Sequence, residues 1–535
     1  MGSICPVVRR PRVLVVLGAL AGVVGPSAPR ALAGGLYLPG IGAVSTGRAG
    51  ASTASVDNPE ALLLNPAKLA DLPGTHVMVG ASLIDFDLSF DRFGTYDEIS
   101  TRDVAWEGAD HPTMHDDSSP PIGVGPFQII PMIAVSSDLG SCIPGLTLAA
   151  GLYTPQSYPF RSVGADYHID DPVEPPPPTR YDIVEQGAEF FVTSVGASYR
   201  ISPKLDVGAR LSVGVGRITA RTFLWGLPNY EESTRNEAVF ALDVRDNFIP
   251  SGGLGVAYRP TREIELAAQY TGELALVGEG TAEVQLSQYL TLAGIPAEIT
   301  AAPDDEARCA RGGTAEKLKA CADLTLPMSA SIAGRYRFFD ANGRERADVE
   351  LDLGWENWSG ERSSSFLVVV DAKLNGLVSL KDGIIHHGFQ DTFAARLGGS
   401  YHIPLGEQGQ RELIVRGGVA YDTAAAKSGW ERIDFDGAAR TTLAAGASFR
   451  TERLQLDLGV GTILEGTRTV GEPCNPTLLD RGCDGQNRDA LPEDRSGADP
   501  INPLFDSRSQ AENPVNHGTY SSHYLLLMLG ATARF

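Results

Sequence analysis

Apolar and polar residues alternate strictly along several stretches of this chain. From Leu205, one parity reads Leu205, Val207, Ala209, Leu211, Val213 and Val215, while the other reads Asp206, Gly208, Arg210, Ser212, Gly214 and Gly216. A period of two is that of a β-strand, whose successive side chains point to opposite faces, so the stretch predicts a strand with one oily and one polar or small face. The same split recurs with Val349, Leu351, Leu353 and Trp355 against Glu350, Asp352, Gly354 and Glu356, and with Leu454, Leu456, Leu458 and Val460 against Gln455, Asp457, Gly459 and Gly461. In a soluble sandwich the oily face would be inside; in an outer-membrane barrel it faces lipid and the lumen is polar.

Connection lengths favour the barrel. The pattern predicts 14 strands, near 75–90, 126–139, 146–160, 187–201, 204–225, 247–259, 263–285, 323–339, 347–370, 389–404, 411–427, 436–450, 453–469 and 519–535. Odd-numbered connections are mostly long and even-numbered ones short, such as Ser202-Pro203 and Pro260-Thr261-Arg262. Long extracellular loops, tight periplasmic turns and an even strand count are what a transmembrane barrel requires. The chain ends on Phe535 in an alternating strand, which resembles the C-terminal signature that outer-membrane proteins present to the assembly machinery. The expected fold is therefore an all-β, 14-stranded antiparallel transmembrane barrel over residues 74–535, in contact with outer-membrane lipid and lipopolysaccharide.

The N-terminus reads as an export signal over 1–33. Arg9, Arg10 and Arg12 precede an apolar run from Val13 to Val24, and Ala31-Leu32-Ala33 predicts cleavage before Gly34. That run is too short to span a bilayer as a helix. Residues 34–73 are too rich in Gly and Ala for a strand and too apolar for a free tail. Their unpaired backbone needs partners, so a plug inside the barrel is expected. A net charge of −22 over 535 residues argues against nucleic acid as a partner. Cys309/Cys321 and Cys474/Cys483 are close pairs in polar sequence without a nearby His, which favours two loop disulfides over a zinc site and leaves Cys142 single.

The plug segment carries a resemblance. Gly47-Arg48-Ala49, followed by Asp57 and closed by Asn65-Pro66-Ala67, resembles the N-terminal hatch of the FadL/TodX family of outer-membrane hydrophobic-compound transporters. Weaker likenesses are Leu152-Tyr153-Thr154-Pro155 to the third strand, Trp355-Glu356-Asn357-Trp358-Ser359 to a mid-barrel motif, and Arg416 to Asp422 to a late strand. The resemblance implies passive uptake of long-chain fatty acids or other small hydrophobic compounds. Loops outside capture the ligand, a pocket above the hatch receives it, and a kinked third strand releases it sideways. It further implies that Asn65-Pro66-Ala67 positions the hatch against the third strand; read from the residues alone, these three are a helix stop and turn. Pro155 and Pro159 each remove a ladder donor from the predicted third strand, either opening the wall or lying in the loop above it.

Margins of the third and fourth long loops supply Trp225, Leu227, Tyr230, Phe240, Tyr289, Leu290, Leu292 and Ile295, with Ile299 beyond them. They form either a capture groove or the core of the loops themselves. Lumen-facing charges of both signs (Asp206, Arg210, Glu265, Glu350, Asp352, Glu356, Arg416, Asp422, Asp457, Arg534) suggest pairing that holds the hatch rather than an ion filter. The first long loop is rich in Asp, Glu and His but lacks EF-hand spacing, so no metal and no cofactor is expected. No Gly-x-Ser-x-Gly elbow supports a barrel lipase. A general diffusion porin is the second reading, though it has no use for so long a hatch. The protein is expected to be monomeric and not an enzyme.

Overall fold

The computed structural model describes residues 35–535 except 100–103, 142, 170–172, 226–231, 293, 311, 315–316, 381–382, 407–409, 428–429, 436 and 471–514. The predicted signal segment 1–33, Cys142, Leu227, Tyr230, Cys474 and Cys483 lie outside the described residues. Fourteen strands form the wall. They are β1 (Thr75–Arg92), β2 (Phe127–Ser137), β3 (Leu146–Tyr153), β4 (Glu185–Ser202), β5 (Leu205–Trp225), β6 (Glu237–Tyr258), and β7 (Ile264–Thr271 with Leu274–Leu286). There follow β8 (Leu318–Leu326 with Ser329–Phe339), β9 (Glu345–Glu356 with Ser365–Leu374), β10 (Gly383–His386 with Thr392–Leu405), β11 (Arg411–Asp422), β12 (Arg440–Arg450), β13 (Leu454–Val470) and β14 (Gly518–Arg534). Each pairs antiparallel with its neighbours in sequence, and β14 returns to β1 from Arg534 opposite His76 to Gly518 opposite Arg92, closing the ring.

The oily parity faces out. Leu211, Val213, Leu351, Leu353, Leu456 and Leu458 are exposed on the outer wall, whereas Asp206, Arg210, Glu350, Asp352 and Asp457 are buried within it. Sequence and structure differ most at two strands. β6 begins at Glu237 rather than near 247, and it runs through Pro250 because the β5–β6 register shifts between Gly214 and Gly216, where a bulge tolerates the missing donor. β3 ends at Tyr153 rather than continuing to 160.

Inward positions change character along the strands. Towards the short-turn end they are charged: Glu265 on β7, Arg335 on β8, Glu350 and Asp352 on β9. Towards the long-loop end they are apolar: Phe190 and Val192 on β4, Ile249 on β6, Leu274 and Leu276 on β7, Leu324 and Leu326 on β8 pack in one buried cluster with Trp358 and Phe389. Alternation alone suggested a uniformly polar lumen. Runs such as Phe190-Phe191-Val192 and Leu274-Ala275-Leu276-Val277, apolar at both parities, are where that expectation fails.

The segment from Gly35 to Pro73 packs against the inward faces of the strands. It holds two single-turn helices, α1 (Ala43–Thr46) and α2 (Ala61–Leu64), and a 3-10 turn over Pro66–Asp71. The Asn65 side chain accepts a bond from Ala67 N at 3.1 Å, and Pro66 occupies the first turn position, where a missing N–H costs nothing.

Candidate functional site

Carboxylates on one face of β9 bind the N-terminal segment. Asp348, Glu350 and Asp352 alternate with Val349 and Leu351, so all three point inward. Arg48 donates to Asp348 at 3.0 and 3.1 Å, to Glu350 at 3.1 Å and to the Ala51 carbonyl at 2.7 Å. The backbone N–H groups of Ser52 and Thr53 donate to Asp352 at 3.1 and 3.0 Å, and that of Ala54 to Glu350 at 2.6 Å. Lys68 is held by Glu265 at 2.5 Å and Asp71 at 2.6 Å, and Arg450 pairs with Asp57. At Asp71, burial opposes ionisation, but the Lys68 ammonium and Arg259 outweigh it and hold the carboxyl at about 2. The mixed charges thus neutralise one another across the lumen.

Asn65-Pro66-Ala67 packs most closely on β5 and β6, and the turn it opens, Pro66–Asp71, also meets β3. A Cβ on Gly255 of β6 would lie 2.1 Å from the Asn65 amide oxygen, and one on Gly208 of β5 would lie 2.3 Å from the Pro66 carbonyl carbon. The turn nests against these two glycines because only backbone without side chains admits it so closely. Leu62 of α2 also meets β3, where a Cβ on Gly151 would touch its side chain at 3.3 Å.

After Tyr153 the third strand leaves the wall. Opposite β2 its ladder runs only from Leu148 to Leu152, and opposite β4 it stops at Tyr153–Val192, resuming at Arg161–Gln186. Residues 155–160 are all buried. Gln156 reaches Ser82 on the inner face of β1 at 2.7 Å, and its carbonyl accepts the Leu38 N–H at 2.9 Å. Both Pro155 and Pro159 therefore lie in the departing segment. On its lumen side a cavity of about 190 Å³ is lined by Tyr37 to Ile41, Leu63, Tyr153, Pro155 and Gln156. On its other side a smaller cleft is lined by Ile129, Pro131, Thr154, Ser157, Pro159 and Phe191.

The long loops meet over the opposite end of the lumen. Arg180 pairs with Glu237 at 2.9 Å, Arg432 donates to Asp182 at 2.9 Å, and His387 bonds Asp434 at 2.7 Å. Pro176, within the run Pro175 to Pro178, accepts the Tyr96 hydroxyl at 2.6 Å.

A closed 14-stranded antiparallel wall with an N-terminal segment lodged in its lumen narrows the comparison to few architectures. The family model described as outer membrane protein transport protein (OMPP1/FadL/TodX) matches residues 26–487. The chain belongs to this family. Among solved structures, a Pseudomonas aeruginosa FadL homologue is similar with a TM-score of 0.65 at 15% identity, covering 94% of this chain and 100% of that one. The Ralstonia pickettii toluene transporter TbuX gives 0.56 at 15% identity, covering 93% and 99%. The Pseudomonas putida toluene transporter TodX gives 0.57 at 15%, covering 94% and 99%. Comparison with curated protein sequences yields no match. The chain is an outer-membrane β-barrel transport protein of the OMPP1/FadL/TodX family and not an enzyme.

In this FadL/TodX-family barrel the described loop residues singled out from sequence lie in different places. Trp225 is the last residue of β5. Phe240 is buried beside Leu242, Val244 and Val370, inside the outer part of the wall. Tyr289 is half exposed under the Arg235 guanidinium, Leu290 is buried, and Leu292 and Ile295 sit exposed on a small hairpin. Phe240, Tyr289, Leu290, Leu292 and Ile295 do not line the lumen cavity. Cys309 and Cys321 are joined in a disulfide, tying the long β7–β8 connection to β8. Among the described residues, Glu345, Asp348 and His402 approach one another closely enough to hold a cation. Arg335 already donates to Asp348 at 2.8 Å and to Glu345 at 2.6 Å, so the cluster is satisfied by ion pairs.

Proposed function

We propose that this family member takes up apolar compounds, long-chain fatty acids or aromatic hydrocarbons, passively across the outer membrane. The signal over 1–33 is removed, residues 34–73 act as the hatch, and the ligand leaves sideways through the interrupted third strand. One observation carries the reading: the departing segment 153–159 is the shared partition between the lumen cavity and the cleft in the outer wall. The apolar upper lumen gives a hydrophobic solute a path to that cavity, while the charged lower lumen opposes its direct passage. TbuX and TodX, both named as toluene transporters, share the fold and lend support to aromatic substrates.

The test is uptake by proteoliposomes offered labelled oleate, toluene and glucose, with native mass spectrometry of the purified protein in parallel. Retention and saturable uptake of oleate or toluene, without glucose, are expected. Free passage of glucose and ions, with no retained ligand, would replace this reading with a diffusion porin.

A further inference from the structure

A strand that leaves a barrel wall abandons ladder bonds on both sides, so something must hold it away. Residues 154–160 leave Ile130 to Met132 of β2 without a ladder partner on that side, Phe127 to Ile129 pairing instead with Ile122 to Val124, and they leave Gly187 to Phe191 of β4 without a β3 partner. Pro155 and Pro159 weaken any return by removing two donors, but Thr154, Gln156, Ser157, Tyr158 and Phe160 retain theirs.

Arg161 stands where the chain rejoins the wall and is 2% exposed. Its Nη1 donates to the carbonyls of Tyr158 at 3.1 Å and Phe160 at 2.7 Å, and its Nε donates to the Ile433 carbonyl at 2.9 Å. The guanidinium lies 4.3 Å from the Phe86 ring centroid on the inner face of β1. Among the described residues no carboxylate comes within 4.0 Å of it, so this buried cation spends its donors on main-chain carbonyls, two of them in the departing segment. Further along, Gln156 Nε2 bonds Ser82 at 2.7 Å, and the Tyr158 ring packs on Phe86 with centroids 5.7 Å apart.

We propose that Arg161 is the positioning residue that holds the side opening apart, with Gln156 as its second anchor. Arg161 satisfies carbonyls that the ladder would otherwise claim and pins them to β1 and to the β11–β12 connection. Gln156 fixes the middle of the segment to β1, and its carbonyl bond to Leu38 N ties the opening to the start of the hatch. This assignment rests on the lateral route proposed above.

Spin labels at Ile129→Cys and Phe191→Cys, on the two edges of the opening, report its width in the full-length protein, while oleate binding and oleate uptake are measured separately. Arg161→Ala is expected to shorten the label distance and to slow uptake by about tenfold while binding stays within about twofold, with Arg161→Lys intermediate. Gln156→Leu is expected to act in the same direction, and it carries the test should Arg161→Ala fail to assemble. An unchanged distance and uptake in both Arg161→Lys and Gln156→Leu would overturn the assignment. If the parent protein moves no oleate or toluene, the transport reading falls, and the label distance alone still decides whether Arg161 holds the wall apart.

Discussion

Glu60 is buried in the N-terminal segment without a cation to balance it. Its Oε1 accepts from Asn58 at 3.3 Å, its Oε2 has no hydrogen-bond partner, and among the described residues no Lys or Arg nitrogen lies within 4.0 Å. Burial pushes its carboxyl up to about 7, opposed by Ser45 and Asn58 and reinforced by Asp457 across the lumen. The folded state therefore keeps this proton after the unfolded chain has lost it. Stability falls as pH rises from the ordinary value of 4.5 to about 7 and levels off above, by about 3 kcal/mol in all. Glu60→Gln should match the parent at pH 5 and exceed it at pH 8, read from the temperature at which the compact electrophoretic band is lost.

Arg48 presents the opposite case, a buried cation with two buried carboxylates. Arg48→Ala leaves Glu350 without the cation that the N-terminal segment supplies and should cost about 3–5 kcal/mol, because the penalty comes from the charge left behind. Adding Asp348→Asn and Glu350→Gln to that variant should restore most of the loss in the same assay. Parity made Glu350 and Asp352 legible as lumen residues. It could not name Arg48 as the partner of Glu350, since a residue in an irregular segment has no periodicity to place it. The loop aromatics resist placement for a related reason: Phe240 lies on a strand that buries it, and Tyr289 beside a hairpin that leaves it exposed.

At the scale of elements, the wall was legible almost strand by strand because lipid outside and polar groups inside enforce a period of two. What was not legible is where a strand departs from the wall. Pro155 and Pro159 marked the place, yet the anchors of the departing segment, Ser82 and Leu38, come from distant parts of the chain. Glycines give a similar lesson at β5 and β6, where Gly208, read as a small residue on the polar face, proves with Gly255 to be the seat of the Asn65-Pro66-Ala67 turn. Gly255→Val should drive that turn off the wall at a cost of about 3 kcal/mol or more, seen as a lowered band-shift temperature and a gain of ion conductance. Gly417→Val is the control: a Cβ there meets only the Ala444 carbonyl at 3.9 Å, so neither quantity should change.

For the whole molecule, two sets of bonds can be separated. Ring closure between β1 and β14 uses main-chain bonds that do not involve residues 35–73, so the wall has its own reason to assemble. The N-terminal segment, in contrast, supplies Arg48 and Lys68 to a lumen face that otherwise presents Asp348, Glu350, Asp352 and Glu265. Deleting 35–73 should therefore yield a barrel that still shows the heat-modifiable band but now conducts in a planar bilayer. The parent should show no steady conductance while still retaining an apolar ligand. A deletion variant that assembles yet conducts no ions would mean that the long loops, and not the N-terminal segment, seal the lumen; a parent that conducts freely would mean that nothing does, and the transport proposal would give way to a pore.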